Sequence, residues 1–277
     1  VPNTKDIDPS TPWTIFVAGP GGSGKTTQIW TLPGKKFAYL FDPNAKKSLE
    51  GLDLDYEMFL PDMFELDFTI KGFSKQARQD DKPIRANIEP TMYMRWVDDL
   101  NKREKSGFFD LFDWVCIDSV TFLGRGLMDR NLFINNRLGK EEEIADYKIV
   151  GGKLSSIFRT ITGGLGKNLY CTGHLQTYQD DKTKRIETQL FLPGSARVLL
   201  PLLFDNVLLA GTTQPEDKDE VLYDIRTTPD NRGLKNIRCS IPDLNTFEDV
   251  TIKDFNRPEE YGIGAILERA KERRKAA

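Results

Sequence analysis

The residues Gly19-Pro20-Gly21-Gly22-Ser23-Gly24-Lys25-Thr26 spell G-x-x-x-x-G-K-T and follow directly on the apolar run Trp13 to Ala18. Such a loop needs a strand before it and a helix after it. Its backbone N–H groups wrap a β-phosphate only where glycine frees the turn and a helix N-terminus faces the anion. Lys25 adds positive charge toward the β- and γ-phosphates, the Thr26 hydroxyl is a candidate magnesium ligand, and Thr27 completes the phosphate-binding set. The spacing predicts a helix over Thr26 to Leu32, stopped by Pro33-Gly34. The alternative is a glycine-rich turn that merely contains Lys and Thr, but the full motif in this context is among the most specific short signals a sequence carries.

Five short, nearly continuous apolar runs alternate with helical patterns: Trp13 to Ala18, Phe37 to Phe41, Trp114 to Ile117, Leu169 to Thr172 and Val207 to Ala210. That is how parallel strands buried on both faces read, so the expected class is α/β, a mostly parallel sheet flanked by helices. About seventy residues separate the second run from the third, more than a single crossover needs, which predicts an insertion at about 55–90. Its polar part, Lys71 to Arg85, reads as an exposed loop, after which Glu89-Pro90 opens a helix with Met92, Trp96 and Leu100 at four-residue spacing. Ile186, Thr188 and Leu190 alternate with polar residues after a turn at Asp180-Asp181-Lys182-Thr183. With Val221 to Ile225, they predict a late antiparallel hairpin extension. Ile263 to Ala277 reads as a closing helix with cations at its C-terminus. The expected layout is an arm over residues 1–12, an ATP-binding domain over 13–240 and a C-terminal extension over 241–277.

A chain of 277 residues suffices for one large core with appendages. A net charge of -3 argues against a generally basic nucleic-acid coat and leaves room for a local basic groove. Cys116, Cys171 and Cys239 lie in or beside apolar runs without metal-ligand spacing, as buried thiols in a reducing compartment do. The run Val198 to Phe204 is broken by Pro201 and is far short of a membrane span. The start Val1-Pro2-Asn3 has neither region of a secretory leader, so the expectation is a soluble, cytoplasmic protein without a membrane partner.

Phe112-Asp113-Trp114-Val115-Cys116-Ile117-Asp118-Ser119 puts an acid at the end of a buried strand. Alone, Asp118 would be an ordinary helix cap; downstream of a phosphate loop it reads as a second magnesium-organising group beside Thr26. Motors of the AAA+ type carry a water-activating Glu directly after this Asp, where this chain has Ser119.

The order of Gly19 to Thr26, Phe41-Asp42-Pro43-Asn44, Asp118-Ser119, Asn168 to His174, Pro193-Gly194 and Leu203-Phe204-Asp205 resembles the phage RecA-like P-loop ATP-binding proteins. That AAA-domain family includes phage single-strand annealing proteins, and the resemblance covers roughly Trp13 to Cys239. It implies a RecA-type core that binds ATP and Mg²⁺, acts on single-stranded DNA in recombination or replication of a bacteriophage, and works in the host cytoplasm. It also implies a homo-oligomeric ring or filament and a single-strand binding protein as a possible partner. By the same resemblance His174, the only histidine, senses the γ-phosphate, with Gln176 as second candidate. Lys235 and Arg238 either reach a neighbouring subunit's triphosphate or are ordinary cations on a solvated strand.

Relatives carry an acid where this chain has Asn44, and an amide holds a water molecule without taking its proton. Asp42 is the substitute base, and hydrolysis is expected to be slow. Thr177 to Arg197, with Tyr178, Lys182, Lys184, Arg185 and Arg197, is the candidate DNA contact; Asp180, Asp181 and Glu187 dilute its charge, and a plain surface hairpin is the competing reading. Three other functions remain open from sequence: a non-hydrolysing ATP switch, a small-molecule kinase, and a helicase or packaging motor.

Overall fold

Strand β1 (Thr14–Gly19) is buried at all six positions, as its unbroken apolar run demands. The computed structural model describes residues 11–61, 89–179, 184, 186–215, 220–229 and 236–276. The other strands are β2 (Lys36–Leu40), β3 (Asp55–Met58), β4 (Trp114–Asp118), β5 (Asn168–Gln179), β6 (Ile186–Leu190), β7 (Asn206–Thr213), β8 (Leu222–Arg226) and β9 (Phe247–Asp249). They form one nine-stranded sheet in the order β3-β2-β4-β5-β1-β7-β8-β9, with β6 paired to the outer half of β5. β3 through β7 along that order are parallel. β8, β9 and β6 are antiparallel additions, so the α/β core with a late antiparallel extension is what the chain forms.

Helices cover both faces. On one face α2 (Met92–Lys105), α3 (Val120–Ile134) and α4 (Ile144–Gly164) enclose a core that includes Phe16, Trp96, Leu123, Leu154 and Phe158. The opposite core includes Ile15, Ile29, Trp114, Tyr170 and Leu267, closed by the helix after the phosphate loop and by α6 (Gly262–Ala276). Two single turns, α1 (Ala45–Ser48) and α5 (Ala196–Leu199), complete the helices named here. Met92 and Trp96 of α2 are buried, as their four-residue spacing predicts.

Two local differences from the sequence reading have physical causes. The helix expected over Thr26 to Leu32 is a 3₁₀ segment, Thr27–Thr31. Three of its five residues are β-branched, and Leu32 is held extended ahead of Pro33. The stretch read as an insertion begins with a sheet element, because Asp55–Met58 pairs in parallel with β2. As an edge strand it is half-exposed and polar, so it lacks the apolar run that marks its neighbours. Residues 62–88, which hold the polar part of that stretch, lie outside the described residues, as does the turn at Asp180 to Thr183.

Candidate nucleotide site

The register brings the C-terminal ends of four strands to one edge. Gly19 of β1 lies opposite His174 of β5, and Leu40 of β2 lies opposite Asp118 of β4. In parallel α/β sheets, the crevice outside those ends is where ligands bind. Here it is a cleft of about 540 Å³ lined by Gly21 to Thr27, Asp42, Asn44, Asp118 and His174, together with Ser48, Phe122 and Tyr223.

Gly22 (φ +78°) and Gly24 (φ +77°) adopt the left-handed conformation that the loop requires and that glycine tolerates without strain. Gly24 is also tight against the Tyr223 ring, where a Cβ would lie 2.9 Å from Cδ1. The Ser23 hydroxyl and the Lys25 ammonium both donate to the Pro20 carbonyl, at 2.9 and 2.6 Å, which draws the loop closed around its own lysine. Lys25 is 6% exposed, and burial pulls its pKa down to about 8 against the opposing pull of Asp118 and Asp42.

The Thr26 hydroxyl donates to Asp118 Oδ2 at 3.0 Å, so the loop and the β4 acid meet directly. The hydroxyl of Thr172 on β5 donates to the other oxygen, Oδ1. Burial pushes the Asp118 carboxyl above the usual carboxylate range, and the Thr172 and Thr26 hydrogen bonds oppose that shift. Ser119 caps α3 by accepting from Phe122 N, and its hydroxyl stands 3.4 Å from His174 Nδ1. Burial, then the nearby Lys25 charge, lowers the His174 pKa, which favours the neutral imidazole. Asp42 Oδ1 accepts from the Asn44 backbone N–H at 2.8 Å, folding the strand-two acid back on its own turn.

A hydroxyl and a carboxylate are hard oxygen donors that suit Mg²⁺, an ion usually held by one or two protein groups plus substrate phosphates and water. Among the described residues no cluster of three or more His, Cys, Asp or Glu offers a metal site of another kind. Thr26 and Asp118 therefore fit the role the sequence suggests, completed by a triphosphate's own oxygens.

The remaining candidates lie elsewhere. Arg238 bridges to Val207 near the start of β7, with its guanidinium on the Leu202 and Phe204 carbonyls of the same chain. Gln176 and Arg197 line a second cleft of about 640 Å³ between α3, α4 and the segment after β6. Its rim carries Phe122, Tyr147 and Phe191 with Arg125, Lys148 and Arg197, and Phe122 belongs to both clefts. Tyr178 is on the exposed arm of β5, its hydroxyl on Glu187, and Lys184, between β5 and β6, has φ +56°. Lys182, Arg185 and Lys235 lie outside the described residues. Sequence reasoning did not single out Tyr170, Thr172, Phe122 or Tyr223; only the two-residue period that puts 170, 172 and 174 on one face of β5 could have signalled the first two.

The parallel sheet and the glycine-rich loop at the end of β1 define a P-loop α/β core. The chain belongs to the AAA domain family, whose model matches residues 11–233. Among solved structures it is similar to the flagellar accessory protein FlaH from Methanocaldococcus jannaschii, at 11% identity over 91% of this chain and 92% of that one, with a TM-score of 0.41. It is also similar to the KaiC-like protein PH0186 from Pyrococcus horikoshii OT3, at 13% identity over 89% and 87%, with a TM-score of 0.39. No curated protein matches it. No helix among the described residues is long and apolar enough to cross a membrane.

Proposed function

We propose that the chain is an ATP- and Mg²⁺-dependent RecA-like ATPase that acts on single-stranded DNA, by annealing or strand exchange in phage recombination or replication, as a homo-oligomer. One observation carries the DNA half of this reading. The triphosphate cleft and the second cleft share Phe122, and the second cleft combines three aromatic rings with Lys148, Arg197 and an Arg125 that is ion-paired to Glu142 on the same lining. Rings that stack bases and cations that meet phosphates are what a single strand requires.

In this reading the loop N–H groups and Lys25 hold the triphosphate, and Thr26 and Asp118 hold Mg²⁺. The ion supplies neutralisation of charge on the phosphate oxygens. His174 faces the γ-phosphate end, and its backbone carbonyl accepts from Phe191 N at 2.8 Å. A shift at His174 is thereby passed to a ring on the rim of the second cleft. Water activation falls to Asp42, since the Asn44 amide takes no proton, and turnover is slow. A second reading is favoured by the same positions: with Asn44 and Ser119 where related ATPases carry acids, ATP acts as a switch and is hardly hydrolysed.

Phosphate release with Mg²⁺-ATP, with and without single-stranded DNA, alongside annealing of complementary strands, tests both. DNA-stimulated release that Lys25→Ala abolishes supports the ATPase. ATP-dependent annealing without release supports the switch, and neither activity refutes the DNA assignment.

A further inference from the structure

Strand β5 lies between β1 and β4, so the side chains on one of its faces stand between the phosphate loop and the Asp118 strand. Tyr170, Thr172 and His174 share that face by the two-residue period of a strand. The Tyr170 hydroxyl donates to the Lys25 backbone carbonyl at 2.6 Å, and the Thr172 hydroxyl donates to Asp118 Oδ1. Thr172 and Tyr170 are 0% exposed and Asp118 is 2% exposed.

We propose that Thr172 is a positioning residue for the magnesium carboxylate: its hydroxyl fixes the plane of the Asp118 carboxyl so that the Oδ2 edge faces the metal position together with Thr26. The Thr26 O–H already donates to Oδ2, which leaves lone pairs on its oxygen for a cation. With Oδ1 tied to β5 and Oδ2 to the loop, the carboxylate has one orientation before any ion arrives. Preorganisation of this kind removes an ordering cost from binding. Tyr170 acts on a different group. By tethering the Lys25 carbonyl, it orders the loop that receives the phosphates, whether or not metal is present.

The inference rests on the magnesium–triphosphate reading of the cleft, and calorimetric titration separates the two. ATP is titrated into the full chain with Mg²⁺ and again with EDTA, for wild type, Thr172→Val, Thr172→Ser and Tyr170→Phe, with thermal unfolding recorded for each. Valine keeps the shape of threonine and leaves a buried carboxylate oxygen without its donor. Hydrogen bonds to charged groups then predict Mg²⁺-ATP affinity lower by about tenfold or more. The metal-free affinity is unchanged in Thr172→Val, and serine restores the Mg²⁺ affinity. Tyr170→Phe weakens both titrations by the same factor. An unchanged ratio of Mg²⁺ to EDTA affinity in Thr172→Val, or a serine variant as poor as valine, overturns the role of Thr172. A wild type whose ATP affinity ignores Mg²⁺ overturns the metal reading itself. Should Thr172→Val not fold, Thr172→Cys, of similar volume and with a weak donor, carries the same comparison.

Discussion

Raising the pH should weaken triphosphate binding in a range where lysine ordinarily keeps its charge. In the free protein, burial holds the Lys25 pKa at about 8, below its ordinary value of 10.5. Binding a polyanion stabilises the protonated ammonium and moves that pKa up again. Affinity is therefore flat below about pH 8 and falls tenfold per pH unit above it, until the pKa of the bound state is reached. From about pH 7 to about pH 9.5 the loss is roughly thirtyfold, or about 2 kcal/mol. Two of the other shifted groups near the lysine do not produce this trend, and the third, Asp118, whose carboxyl is raised by burial, is left in place by Lys25→Arg and so separated by it. His174 has a lowered pKa and is already neutral, and Tyr170 is raised well above its ordinary value. Stability of the unliganded fold runs the other way: between about pH 8 and 10.5 the unfolded chain binds more protons at Lys25 than the native state, so unfolding free energy rises with pH. Calorimetry of ATP binding in buffers of different ionisation enthalpy reads the proton taken up, and Lys25→Arg, which stays charged, should bind with no such slope. A dissociation constant unchanged from about pH 7 to about pH 9.5, or a slope retained in Lys25→Arg, would refute the assignment to this lysine.

Two further perturbations test the surroundings of the cleft. Asn44→Glu places a carboxylate where relatives have one, and steady-state phosphate release should rise by about tenfold or more if the missing base limits turnover; an unchanged rate would mean that Asp42 already serves or that another step limits. Gly264→Ala drives a Cβ to within 1.8 Å of the Thr31 carbonyl, where α6 packs on the segment after the phosphate loop. It should cost about 1–3 kcal/mol by chemical denaturation, with no loss expected if that packing is loose.

The parts of this molecule that were legible in the sequence are those where chemistry or burial leaves few choices. The phosphate loop needs its glycines at fixed places, and a central parallel strand needs apolar residues on both faces, so β1, β2, β4, β5 and β7 stood out as runs. The edge strand β3, Asp-Tyr-Glu-Met, is covered on one side and shows no such run. The length of α4 was hidden for another reason. It starts at Ile144 beside the acidic run Glu141-Glu142-Glu143, and what fixes the start is a capping box between Glu143 and Asp146. The second cleft was illegible because its rings come from three distant stretches, at Phe122, Tyr147 and Phe191, and only the packing of α3, α4 and the segment after β6 brings them together. Thr172 read as one more residue of a buried strand, since a hydroxyl in a β-prone run is as common in a core as in a site.

Ser119 shows why slow turnover is a coherent consequence of the proposed function rather than a defect in it. An acid at that position would sit one residue past Asp118, as in motors that hydrolyse quickly. Here the serine hydroxyl caps α3 through Phe122 N and stands against His174 Nδ1, so the position is committed to starting the helix and orienting the histidine. Replacing Ser119 with Glu would remove a cap worth about 1 kcal/mol and place a second charge beside the buried Asp118. In the proposed function the base comes from just after strand two, where Asp42 is turned back on the Asn44 N–H and Asn44 itself carries an amide. Under the proposed function, a cleft with a phosphate cradle and a weakly poised base would hold ATP through a long interval before hydrolysis. In that reading Phe122, which lines both clefts, would stay set for that interval, as a grip on a strand that outlasts a single encounter would require.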